Sequence, residues 1–200
     1  MKEYIIHGTS SENLESILKD GFISINNKKK KVAQKLINEE INQIFTQLVY
    51  RNIPNEKFER PFWFQCCIVL DKKILKDYPF YACQIGGFYD KFNNAFLPEA
   101  DIFMKSKGNL KKMPNLTKLK NFIIKYIHKG GVFTSSHEIM FNKNIPLEKY
   151  CLCIIYGGKM KDIPKEIIKL AGKLQIPIKS KSFEETGLIG INNFIDIIEK

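Results

Sequence analysis

The chain has 200 residues, 44% apolar and 26% charged, the makeup of a globular protein rather than a disordered or fibrous one. No apolar run approaches the roughly 20 residues that a membrane-spanning helix requires. The net charge of +11 comes from 32 basic and 21 acidic residues, yet Arg51 and Arg60 are the only arginines. Dedicated readers of phosphates and base edges lean on arginine's planar fork, so a lysine surplus permits an anionic partner without requiring one. An AT-rich coding sequence, which also favours Ile and Asn, produces the same surplus. Met1 to Ile6 runs straight into an apolar stretch with no signal-peptide pattern, so an intracellular, cytoplasmic protein is expected, with the nucleus also open. The five cysteines (Cys66, Cys67, Cys83, Cys151, Cys153) sit in apolar, strand-like settings and read as small buried thiols. Without zinc-knuckle spacing, and with scattered histidines, no metal site is expected. The run Lys28 to Lys31 reads as a solvated loop and helix start.

In chain order, residues 3–7 predict a short buried strand. A helix follows, with Thr9 as its cap and Glu12 completing a capping box. Leu14, Ile17 and Leu18 make one apolar face, and Gly21 supplies the stop. From Val32 the apolar spacing is helical as far as Ile41, whereas 44–50 is also rich in strand formers. Both readings of that second segment stay open. Phe62 to Leu70 is the strongest strand, then come a helical turn at 72–76 and a strand at 80–85. Residues 88–115 read as an extended loop region. A helix is predicted over 116–127, strands over 139–141 and 150–156, a helix over 164–174, a short strand over 176–178 and a terminal helix near 192–198. Separated strands with helices at their edges predict an α+β fold.

Two clusters carry chemistry. His7-Gly8-Thr9 ends a strand just before a helix, so the imidazole projects from a strand terminus and Gly8 lets a ligand approach the backbone. The loop Gly130 to His137 is rich in small residues and delivers Glu138 to the start of an apolar strand, where an unused carboxylate is costly to bury. Each also fits a plain structural role: a satisfied histidine in a strand–helix turn, or a solvated edge-strand glutamate.

Taken together and in order, these segments resemble the ADP-ribosyltransferase superfamily, shared by poly(ADP-ribose) polymerases and diphtheria-type toxins. The resemblance runs over about residues 3–156 and rests on three stretches. They are His7-Gly8-Thr9, Asn13-Leu14-Glu15-Ser16-Ile17-Leu18-Lys19-Asp20-Gly21, and Glu138 followed by Ile145-Pro146-Leu147. It implies a split mixed or antiparallel sheet with flanking helices, a catalytic domain over 1–158, and a C-terminal extension over 159–200 packed on that domain. It further implies NAD⁺ as co-substrate, with His7 on the adenosine-side ribose and Gly8 presenting backbone groups to the nicotinamide amide. Thr9 would complete that cofactor strand, and Glu138 would bind the nicotinamide ribose hydroxyl. No metal is called for.

With no arginine before Arg51, the arginine-initiated branch fits poorly, and the arginines and histidines of the related tRNA 2′-phosphotransferases are missing. The histidine–aromatic–glutamate branch is left. Its aromatic should precede the strand at 62–70, which makes Phe45 and Tyr50 the candidates and Tyr81 a more distant third. Ser135 and Ser136 lie in the loop that shapes acceptor choice. Ser136 stands where an arginine-modifying enzyme carries Glu or Gln. The resemblance thus implies a mono-ADP-ribosyltransferase acting on a protein side chain. A nucleic-acid acceptor and a silent NAD⁺-binding module are the alternatives.

Overall fold

The computed structural model describes residues 2–22, 44–51, 65–83, 111–127, 138–141, 143–181 and 191–200. The fold is α+β, and the chain forms two compact units. The first comprises Met1–Phe22, Leu48–Ile74 and Ile145–Lys200; the second comprises Ile23–Gln47 and Leu75–Asn144.

In the first unit, β1 (Glu3–Thr9) pairs antiparallel with β3 (Cys66–Asp71), which pairs antiparallel with β7 (Cys151–Gly157). Parallel to β7 runs β8 (Ile178–Lys181), and the crossover that parallel pairing demands contains the helix Lys165–Lys173. β3 is buried on both faces from Cys66 to Leu70, as its nearly unbroken apolar character requires. The helix α1 (Ser11–Asp20) buries Leu14, Ile17 and Leu18 and lies against helix 165–173, which buries Ile167, Leu170 and Ala171. Residues 159–200, expected as an extension of a domain ending at 158, are thus built into the same unit as β1.

The terminal helix Ile191–Glu199 is fastened by charge. The Arg51 guanidinium reaches Asp196 at 2.6 Å and Glu199 at 2.8 Å, and Tyr4 donates its hydroxyl to Glu199 at 3.0 Å. These partners hold the Glu199 carboxyl below its ordinary range, with Arg51 the larger cause and Tyr4 the next. A depressed carboxyl stabilises the fold above its unfolded value near about 4.3, and that contribution is lost as pH falls. Arg51→Met should therefore lower Tm at pH 6–7, by an amount that shrinks towards zero below about pH 4. Thermal melts of both proteins across that range measure it.

At the end of α1 the stop is Gly21, with φ 75° and ψ −175°, a region that is essentially glycine-only. Its N–H donates to the Ile17 carbonyl at 2.8 Å, and a Cβ there would stand 3.1 Å from the Ile145 carbonyl oxygen. That oxygen belongs to a two-way backbone bridge in which Phe22 and Ile145 exchange N–H···O bonds of 3.0 Å. Gly21→Ala should cost about 1–3 kcal/mol through backbone strain, read from the urea midpoint.

In the second unit, β4 (Phe80–Cys83) pairs antiparallel with both β5 (Lys111–Met113) and β6 (Glu138–Phe141). On its other side β6 pairs antiparallel with the first part of β2 (Ile44–Tyr50). The helix Leu116–Ile127 has the predicted bounds and buries Leu119 and Phe122.

Several sequence expectations shift. The cap of α1 is Ser10, whose hydroxyl accepts from the Asn13 N–H at 3.3 Å, and not Thr9. Pairing with β3 continues through Thr9, so Thr9 is committed to the strand and Ser10 is the first residue free to cap. Glu12 then falls one position short of a capping box and instead sits in the first turn, where its charge suits the helix dipole. The open question at 44–50 resolves as strand. A three-residue strand, β5, appears inside the region read as loop, too short and too polar to show alternation. A helical turn, Leu147–Tyr150, precedes β7. The expected strand at 176–178 is displaced to 178–181, where parallel pairing holds a polar segment that has no apolar signal. The helix read from Val32 and the run Lys28 to Lys31 lie outside the described residues.

Candidate functional site

The expected site residues fall in both units: His7, Gly8, Thr9 and Tyr50 in the first, Phe45 and Glu138 in the second. Ser135 and Ser136 lie outside the described residues.

His7 and Gly8 are half-buried near the end of β1, and Thr9 is 4% exposed. Opposite them on β3 stand Ile68, Cys67 and Cys66 in that order, and Ile68 in turn faces Ile154 on β7. The imidazole therefore belongs to an apolar floor. Its ring meets Phe22 in a T-shaped contact, with centroids 4.8 Å apart and planes at 85°. The exit from β1 is fixed as well, because Gln65 accepts from both the Ser11 N–H (3.1 Å) and the Ser11 hydroxyl (2.8 Å). This fixed turn is what a strand-end ligand site needs, since both the histidine and the following backbone are held before anything binds.

Burial disfavours the thiolate form in this floor. It pushes Cys66 and Cys151 up to about 12 and Cys153 to about 11, and it also raises Cys67 well above the ordinary thiol value. All four are free, and three are buried, as the apolar context of their sequence suggested; Cys151 is half-buried.

In the second unit the register sorts the strands into two faces. Ile44, Phe141 and Phe80 form one row, and Thr46, Ile139 and Ala82 form the next. All six are at most 5% exposed, which makes this the core face, and the Phe80 and Phe141 rings meet at a tilt of 43° with centroids 6.2 Å apart. Thr46 resolves its burial by donating its hydroxyl to the Ile139 carbonyl at 2.9 Å. Side chains alternate along a strand, so the intervening positions occupy the opposite face. There Phe45 stands opposite Met140, Met140 opposite Tyr81, and Tyr81 opposite Lys112. The next row pairs Glu138 with Cys83, and the following residue on β2 in this direction is Gln47. Tyr81 and Gln47 are half-buried and Lys112 is exposed.

Glu138 thus opens β6 on the face away from a sealed core, one row from aromatic positions on each neighbouring strand. Tyr50 alternates to the other face of β2 from Phe45 and is 5% exposed. Its phenol is raised first by burial and then by the Glu3 carboxylate, which marks it as an interior residue of the first unit. Sequence reasoning ranked Tyr81 behind Phe45 and Tyr50 because it follows the strand at 62–70. Its register against Met140, which no local pattern encodes, brings it beside Glu138's strand.

Among the described residues, no group of three or more His, Cys, Asp or Glu side chains could hold a metal ion, and no helix is long and apolar enough to cross a membrane. Comparison with protein-family models and with curated proteins finds no match.

Proposed function

We propose that this chain is an NAD⁺-dependent mono-ADP-ribosyltransferase, acting inside the cell, with Glu138 and His7 as its two principal residues. The observation that carries the reading is the placement of Glu138. It is an acidic residue at the head of β6, on the non-core face, flanked within one row by the aromatic positions Phe45 and Tyr81. The His7-Gly8-Thr9 strand end, followed by a firmly capped α1, supports it from the first unit.

Breaking the bond between ribose and nicotinamide builds positive charge on the sugar, as in glycoside hydrolysis. A carboxylate aimed at that sugar is more stabilising in the transition state than in the ground state, and only such a difference accelerates the step. Glu138 takes that role and receives the ribose hydroxyl. Phe45 supplies a flat apolar surface for the nicotinamide ring, preferred over Tyr50 because it shares Glu138's face. His7, oriented by Phe22, donates to the adenosine-side ribose, and Gly8 opens the backbone to the nicotinamide amide. The electron pair of the broken bond leaves on the nicotinamide nitrogen, and a nucleophile bonds to the sugar carbon and loses its proton. The split-sheet fold of the superfamily belongs to the same proposal, and a protein side chain is the acceptor class that the resemblance implies.

Calorimetric titration with NAD⁺ tests the binding half. Wild type is expected to bind, and His7→Ala to weaken that binding about tenfold or more, the loss of one well-placed hydrogen bond to a ligand. Equal affinity in both proteins would remove His7 from the site. A second reading, transfer to a nucleic acid, is favoured by the distribution of charge and is taken up next.

A further inference from the structure

The chain's surplus of positive charge is not shared between the units. The second unit holds sixteen basic and seven acidic residues, a net +9. The first unit, slightly longer, holds sixteen basic and fourteen acidic residues, a net +2. Lysine-rich codon usage acts on the whole gene and would load both units alike. The basic counts are indeed equal. The difference lies in the acids, which are depleted from the unit that contains Glu138. A concentration of one sign of charge attracts polyanions and raises their encounter rate.

Within that unit, the face carrying Glu138 continues outward in a definite order. One row of the register reads Phe45, Met140, Tyr81, Lys112 across β2, β6, β4 and β5. Strands lie about 4.8 Å apart, so Lys112 stands on the order of 10 Å from β6, with Tyr81 between them. Lys112 is exposed and Tyr81 half-exposed, while the alternate residues of the same strands, Phe80, Ala82 and Met113, are buried. An aromatic with an exposed lysine just beyond it is the arrangement that binds an unpaired base and its phosphate. Phe45 and Tyr81 are in register with Met140 on opposite sides of β6, so a nicotinamide assigned to Phe45's strand leaves β4 to another ligand.

Resting on the transferase reading, we propose that the acceptor is a single-stranded nucleic acid laid across β4 and β5, one base stacked on Tyr81 and its phosphate on Lys112. The nucleotide beside Tyr81 then lies one strand from Glu138, within reach of the sugar carbon that loses nicotinamide. A base nitrogen or a phosphate oxygen forms the new bond to that carbon. The old bond's electron pair leaves with nicotinamide, which neutralises its ring charge, and any proton on the attacking atom passes to Glu138 or water.

The test uses the full chain with fluorescein-labelled 20-nucleotide single strands of mixed sequence, one DNA and one RNA, and ³²P-NAD⁺. Anisotropy titrations between 50 and 200 mM salt compare wild type, Lys112→Glu, Tyr81→Leu and the charge-matched control Lys173→Glu, an exposed lysine of the first unit. Wild type is expected to bind at low salt, and Lys112→Glu to weaken binding and flatten the log–log salt slope by about 0.7, the share of one phosphate contact. Tyr81→Leu is expected to lose roughly five- to hundredfold in affinity, and Lys173→Glu to behave as wild type. The ³²P label should appear on the oligonucleotide, and the strand it marks tells DNA from RNA. Label only on added protein, or equal losses in Lys112→Glu and Lys173→Glu, would overturn the proposal while leaving the transferase reading standing. Absence of nicotinamide release with both oligonucleotide and protein acceptors would sink that reading, and this acceptor with it.

Discussion

Glu138→Gln is expected to lower nicotinamide release from NAD⁺ by on the order of 10²- to 10³-fold, while NAD⁺ affinity stays within a few-fold of wild type. Glutamine keeps the length and shape of the side chain and can still accept a hydrogen bond from a ribose hydroxyl, so ground-state binding is preserved. What it lacks is the negative charge that, in the proposed reaction, meets the cationic sugar, a term that exists only as the bond breaks. Glu138 pairs with Cys83 through the backbone, so the substitution leaves the ladder intact. Equal secondary-structure spectra and melting points are the control. Single-turnover release gives the rate, and calorimetry gives the affinity. Equal losses in both would mean that the carboxylate serves binding alone, and no loss in either would remove Glu138 from the reaction.

Ile68→Ala is expected to destabilise the protein by about 2–5 kcal/mol, and Ile68→Val by about 0.5–1.5 kcal/mol. Ile68 is fully buried in β3, with His7 as its cross-strand partner on one side and Ile154 on the other. Truncation loses the transfer energy of the removed methyl groups and leaves a cavity between strands that are themselves locked in register. Urea unfolding of the three proteins measures the series. A cost below about 1 kcal/mol for the alanine variant would show that the floor beneath His7 collapses freely, contrary to close packing.

Much of the fold was readable because it depends on local pattern. The helix at 116–127 announced itself by apolar spacing, the stop at Gly21 by the one residue that tolerates its backbone, and β3 by an unbroken apolar run. The failures were of another kind. Thr9 looked like a cap because sequence shows the helix start but not that pairing with Cys66 holds Thr9 in the strand. Residues 44–50 suited helix or strand equally, and antiparallel pairing with β6 decided between them. β5 and β8 are short and polar, held by edge pairing alone, so neither carried a signal.

The candidate site divides in the same way. His7 and Glu138 stand out in the sequence because small and turn-forming residues adjoin an apolar run at each. The separation of Phe45 from Tyr50 does not, since it depends on which face of β2 meets the core, a long-range fact fixed by Ile139 and Phe141. Only the β4 register makes Tyr81 a neighbour of Glu138's strand, and only the β5 register sets Lys112 beyond Tyr81. The buried thiols were legible from their apolar surroundings, whereas the clasp of Arg51 on Asp196 and Glu199 joins residues about 145 positions apart and left no local trace.

The most direct measurement is nicotinamide release from NAD⁺ by the purified wild-type chain, supplied with cell lysate as a mixed pool of protein and nucleic-acid acceptors. Release well above the uncatalysed rate, with ADP-ribose recovered on an acceptor, is the expected result. A folded wild-type chain that releases no nicotinamide above the uncatalysed rate would contradict the assignment of a transferase.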